Sequence, residues 1–115
     1  MQFTLMFYES PEDFAARSDP AKQQEYLAGW SHYVKAILES GVVVSGCGLH
    51  APETATTVRR RNGEMFVEDG PFSETKEQIG GIFVIEVPDL DTALEWAARS
   101  PVNAAEVREN LPPMR

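Results

Sequence analysis

The sequence predicts an α+β domain, a ferredoxin-like split βαβ sheet with an extra β-hairpin, formed by residues 1–115 as one unit. Three observations predict it. Strand-like and helix-like segments alternate along the chain. Two amphipathic helical stripes close at Gly41 and Pro101. Asn62-Gly63, between two strand-like runs, is a strong signal for a two-residue hairpin turn.

Gln2 to Tyr8 is aromatic and aliphatic, with little polar alternation, so a strand covered on both faces is expected. It ends at Glu9-Ser10-Pro11. Pro11 to Asp19 reads as a polar loop with room for a short helical turn or a lid. A helix then starts at Asp19-Pro20, where Asp can cap and Pro fits the first position. Its stripe is Tyr26, Leu27, Trp30, Tyr33, Val34, Ile37 and Leu38. Val42-Val43-Val44 opens a strand broken by Gly46 and Gly48, which point to a bulge or a close approach by backbone or ligand. Thr54 to Arg60 and Glu64 to Glu68 form the hairpin, and Asp69-Gly70-Pro71 breaks the chain. Ile79 to Val87 is a further strand. Asp89 caps a second helix with Leu90, Ala93, Leu94 and Ala97 on its apolar face. Glu106 to Met114 reads as the last strand, confined to an edge by Pro112-Pro113. Without the hairpin the order is β-α-β-β-α-β. Both helices must then cover one sheet face, and the open face is expected to pair with a second copy, giving a homodimer.

Composition narrows the function classes. A net charge of −8, from 18 acidic and 10 basic residues, repels phosphate backbones and anionic lipids. The one basic run, Arg59-Arg60-Arg61, is too short to offset this, so neither nucleic acid nor membrane is an expected partner. A single cysteine, Cys47, excludes an intrachain disulfide and a cysteine-based metal site. Between two glycines and without a cationic neighbour in sequence, it reads as a buried, inert thiol. No leader or membrane span is visible, and a cytoplasmic location is expected. There is no phosphate-binding loop, dinucleotide fingerprint or nucleophile elbow. No cofactor and no metal are expected.

The segment from Val67 to Pro101 resembles the YCII-related proteins of the DGPF type. Asp69-Gly70-Pro71-Phe72 is followed by Glu74-Thr75-Lys76-Glu77, by the pair Gly80-Gly81 and a strand, and by a helix carrying Glu95-Trp96-Ala97. Thr54 to Arg59 resembles the family's ATTVR strand, and Glu106-Val107-Arg108 its closing EVR segment. The resemblance implies a dimeric α+β barrel with a cleft on each subunit. It also brings an association with extracytoplasmic-function sigma factors. The wider family's His–Asp pair maps onto Trp30 and Ser100 here, so both halves of that dyad are missing.

The remaining candidates each carry two readings. Asp69 can bond the amides of its own turn, or serve a cleft as a base or acceptor. His32 lies roughly opposite the apolar stripe of its helix. It is a surface histidine unless a neighbour covers it, in which case it is a candidate base. His50 follows a strand end, as a loop residue or a binding residue. Glu74 and Lys76 can hold a polar ligand or form a solvated turn. Phe72 can wall a cleft or anchor its own loop, and Trp30 stands at the family's histidine position. With Asp69 and His32 as candidate catalytic residues, the expected function is binding of a small polar or aromatic ligand near the DGPF segment. A cofactor-free proton transfer or isomerisation would be its chemistry if the chain is an enzyme, which the sequence leaves open. The other reading is a non-catalytic regulatory or protein-interaction module.

Overall fold

The computed structural model describes residues 1–113. The elements are β1 (Gln2–Glu9), α1 (Pro11–Ala16), α2 (Gln23–Glu39), β2 (Val43–Gly48), β3 (Thr56–Arg61), β4 (Glu64–Asp69), β5 (Gln78–Glu86), α3 (Leu90–Ala98) and β6 (Ala104–Glu109), with a 3-10 turn at Pro52–Thr54. The fold is mixed α+β, with an antiparallel sheet and three helices. The main sheet has the order β2-β5-β1-β6, and β3-β4 forms a separate two-stranded sheet.

Central β1 sets the layers. Phe3, Leu5, Phe7 and Glu9 are buried, while Gln2, Thr4, Met6 and Tyr8 are only partly covered. Within the single chain, β1 is thus buried on one face and part-covered on the other. Alternate residues point to opposite faces, and only one face has a layer of helices above it. That layer meets the sheet in one core of Phe3, Leu5, Phe7, Tyr33, Ile37, Ile85, Val87 and Ala93. Tyr33 and Ile37 come from α2, Ala93 from α3.

The helix starts differ from expectation. Residues 11–16 form α1, fixed by a reciprocal capping box in which Ser10 Oγ accepts from the Asp13 amide at 3.2 Å and Asp13 Oδ2 from the Ser10 amide at 3.0 Å. Asp19 does not start α2. Its Oδ1 accepts from the Ala21 amide at 2.9 Å, closing a turn, and α2 begins at Gln23. Along α2 the stripe is unevenly used, because Leu27 and Leu38 are half exposed.

Between β1 and β5 the register slips after Phe7. Phe7 opposes Gly81 and Tyr8 opposes Ile79, so Gly80 is the extra residue of a bulge. The hairpin turn has Asn62 and Gly63 both at positive φ (52° and 82°), as a type I′ turn requires. The hairpin stands off the main sheet. The radius of gyration, 16.0 Å, exceeds the roughly 13 Å usual for this length. One hairpin face is tied by the Arg59–Glu68 ion pair at 3.0 Å, and the other exposes Val58, Met65 and Val67. β6 is an edge strand that ends before Pro112-Pro113. Met114, placed at the end of that strand by the sequence, lies outside the described residues. Among the described residues no helix is long and apolar enough to cross a membrane.

Candidate functional site

The alternation that buries Phe3, Leu5 and Phe7 also carries Glu9 to the core face, where it is 1% exposed. A carboxylate in that position must be paired and fully hydrogen-bonded. Three side chains do this. Arg17, just beyond α1, places Nη2 at 2.7 Å from Glu9 Oε2. On α2 the Tyr26 hydroxyl donates to Glu9 Oε1, and the Trp30 indole N–H donates to the same oxygen at 3.2 Å. Tyr26 and Trp30 are four residues apart, so one helix face presents both donors. No buried side-chain nitrogen or oxygen among the described residues is left without a partner.

Arg17 is itself held on several sides. Its Nε donates to the Tyr26 hydroxyl at 3.1 Å, Nη2 also to the Gly80 carbonyl at 3.2 Å, and Nη1 to the Leu49 carbonyl. Its charge is thereby fixed. Burial pushes the guanidinium down, but the bonds to Tyr26 and Glu9 outweigh burial and leave it above its ordinary value. Tyr26 is pushed up to about 12, first by burial and then by its bond to Glu9. It therefore holds its proton at neutral pH and works as a donor.

Gly80 makes the cluster geometrically possible. A Cβ at this position would overlap the Glu9 carboxylate, 2.8 Å from its Cδ and 3.1 Å from Arg17 Nη2. Such distances require something to move, and the carboxylate is pinned by three donors. Gly46 plays a similar part on β2, where a Cβ would lie 2.9 Å from the Ile82 carbonyl and run into the Phe83 ring.

The cluster borders two clefts. One, of about 760 Å³, lies between α2 and the β2–β5 side of the sheet. Leu27, Trp30, Val34 and Leu38 wall it from α2, and Phe7 and Phe83 from the sheet. Phe7 is the hub of this wall. Trp30, Tyr33 and Phe83 meet it edge-on at centroid distances of 5.3, 5.8 and 6.0 Å, an arrangement worth about 1 kcal/mol per pair beyond simple burial. The second cleft, of about 740 Å³, is the more polar of the two and lies between α1 and the segment after β4, with Glu74, Lys76, Thr75 and Gln78 in its lining beside Pro11, Phe14 and Pro52. Arg17 and His50 line both clefts.

Trp30 and His50 thus meet at the apolar cleft, and His50, Glu74 and Lys76 at the polar one. Asp69, Phe72 and His32 line neither. Asp69 is exposed at the end of β4, opposite Thr56. Phe72 is 71% exposed with the Arg59 guanidinium 4.8 Å above its ring. His32 is exposed on α2. Ser100 donates to the Ala97 carbonyl at 2.6 Å, closing the end of α3. Glu9, Arg17 and Tyr26 were not singled out from the sequence. The signal for Glu9 was present, since it continues the odd-numbered core positions of β1. Tyr26 is legible only as the first residue of the α2 stripe, and Arg17 carried no signal, because its partner is reached only through tertiary packing. Among the described residues no three His, Cys, Asp or Glu side chains are grouped to hold a metal ion.

Gly80→Ala is expected to lower unfolding free energy by about 2 kcal/mol, as overpacking in a tight interior does. Urea denaturation measures it. A variant as stable as the parent would show that the carboxylate is free to move and that the bulge is not built around it.

Two comparisons with known proteins bear on this chain. The family model described as the YCII-related domain matches residues 1–113. An uncharacterised protein of Rhizobium meliloti (strain 1021) is 42% identical over 97 residues, spanning 84% of this chain and 77% of the relative.

Proposed function

The chain belongs to the YCII-related domain family, and on that premise we propose that it binds a small, largely aromatic molecule in the cleft between α2 and the sheet. One observation carries this reading. An apolar cleft of about 760 Å³ meets a cluster of pinned polar groups, Glu9, Arg17, Tyr26 and Trp30. This is the usual composition of a small-molecule site, apolar walls with a few convergent polar groups, and the volume is of the usual size. Binding is better supported than base catalysis by Glu9, since three donors already occupy that carboxylate. Proton transfer, if the ligand undergoes it, falls to His50 at the junction of the two clefts, a place consistent with a base or acid. Glu74 and Lys76 of the DGPF segment then serve the polar mouth.

The same reading includes the finer fold. The antiparallel order β2-β5-β1-β6, with the hairpin set aside, supports a ferredoxin-like split βαβ sheet. Thr4, Met6, Ile82 and Val84 lie on the face opposite the helices and are incompletely covered by their own chain. Pairing of two such faces into a dimeric α+β barrel is the arrangement we propose. The protein-interaction alternative rests on a different surface, the exposed Val58–Met65–Val67 face of the hairpin.

Two measurements test these proposals. An uncharged naphthyl probe should quench Trp30 fluorescence in a Trp96→Phe background. Leu38→Arg, at a half-exposed position on the cleft wall, should weaken binding at least about tenfold (~1.4 kcal/mol) while leaving the melting temperature unchanged. Equal affinity in the two proteins would remove the cleft from consideration. Light scattering should give twice the mass of one chain for the parent and the mass of one chain for Val84→Asp, and a parent that runs as a monomer would refute the barrel.

A further inference from the structure

We infer that the apolar cleft selects uncharged molecules bearing one hydrogen-bond acceptor, aromatic ketones or esters as a chemical class, over carboxylates and amines. This deepens the binding reading above and rests on it.

Charge decides first. Among the described residues, Glu9 and Arg17 are the only Asp, Glu, Lys or Arg side chains that line this cleft, with His50 the one further basic group. Glu9 and Arg17 sit 2.7 Å apart. Their charges cancel. Apart from His50, where the two clefts join, an incoming carboxylate would find no unpaired cationic side chain, and an incoming ammonium no unpaired anion. Burying either without a counter-charge is strongly unfavourable. The acidic remainder of the chain adds a long-range penalty for anions.

Donor and acceptor counts decide next. The Glu9 oxygens take bonds from Arg17, Tyr26 and Trp30, and Glu9 is 1% exposed. The carbonyls of Leu49 and Gly80 are both engaged by Arg17. Beyond a ring nitrogen of His50 at the junction of the clefts, no ready acceptor is left beside Arg17 for an ammonium or a guanidinium. On the donor side, a guanidinium has five N–H groups. Four are committed, to Tyr26, Glu9, Gly80 and Leu49. The remaining Nη1 hydrogen has no acceptor among the described residues, on a side chain that lines both clefts and is 26% exposed. Arg17 is therefore a fixed, pre-aligned donor with one hydrogen to give. A single carbonyl oxygen satisfies it without adding charge. The walls supply the rest of the selectivity, because the part-exposed rings of Trp30 and Phe83, packed on the buried Phe7, suit a flat partner.

Arg17 is thus a specificity-determining residue that acts through its pairing with Glu9. Glu9→Gln keeps the shape and an oxygen for Tyr26 and Trp30 but leaves the guanidinium uncompensated. The preferred ligand should then change sign class.

The test uses three probes of equal size, a naphthyl methyl ketone, the naphthoate and the naphthylmethylammonium ion, titrated calorimetrically at neutral pH. In the parent protein the ketone should bind at least about tenfold tighter than either ion (~1.4 kcal/mol). In Glu9→Gln the naphthoate should gain about tenfold or more and become the preferred probe. If that variant does not fold, Arg17→Gln serves in its place, and there the ammonium should gain. A parent that prefers naphthoate, or a folded variant with an unchanged order, would overturn the charge argument while leaving the cleft as a binding site. No heat from any probe in the parent, together with no quenching of Trp30 fluorescence, would overturn both.

Discussion

A carboxylate buried inside a small domain has to be answered by its neighbours, and much of this chain's architecture is that answer. Glu9 lies on the core face at the end of the central strand. Removing one partner from such a pair leaves an isolated buried charge, at a cost of about 3–5 kcal/mol. That is a large share of the ~5–15 kcal/mol by which domains are stable. Each element around Glu9 contributes a group. The segment after α1 contributes Arg17, α2 contributes Tyr26 and Trp30, and the β5 bulge contributes the space at Gly80 and its carbonyl.

The cleft follows from the same constraint. To reach Glu9, α2 turns Tyr26 and Trp30 toward the first sheet strand, and the same stripe continues through Leu27, Val34 and Leu38 beside β2. The helix does not fully cover the strip of sheet between β5 and the β2 edge, and an apolar channel remains there. Arg17 stands where this channel meets the polar cleft of Glu74 and Lys76. Buried pairs contribute little net stability compared with apolar substitutes. The cluster is therefore better explained by what it holds in place, a neutral polar group of fixed geometry at the edge of an aromatic wall, than by the energy it adds.

The outline of the fold was legible. Alternation, the Asn62-Gly63 turn, the Asp89 cap and the glycine and proline stops located nearly every strand and helix, because these are local signals. What failed was also local in cause. The capping box of Ser10 and Asp13 turns the expected loop into α1, while Asp19 spends its carboxylate on a turn, so α2 begins at Gln23. Met6 and Tyr8 look like core residues, though in the single chain no layer lies above them. The candidate site was half legible. Glycine punctuation and charge drew attention to His50, Glu74 and Lys76, and Trp30 was noted for its position. Glu9 was read as a strand end, although its parity with Phe3, Leu5 and Phe7 places it inward. Spacing places Tyr26 on the Trp30 face of α2, but Arg17 joins Glu9 across tertiary structure that no spacing rule describes. Asp69 and Phe72 are conspicuous as a motif yet sit on the exposed hairpin side, away from both clefts.

The central claim is that Glu9 and Arg17 are coupled and that the rest of the site is arranged around the pair. A double-mutant cycle measured by urea unfolding tests it directly, with Glu9→Gln, Arg17→Met and the double variant. The account predicts that Arg17→Met alone costs about 3 kcal/mol and that the double variant is more stable than Arg17→Met, because the second change removes the charge that the first left buried. Costs that simply add, with the double variant the least stable of the three, would contradict it.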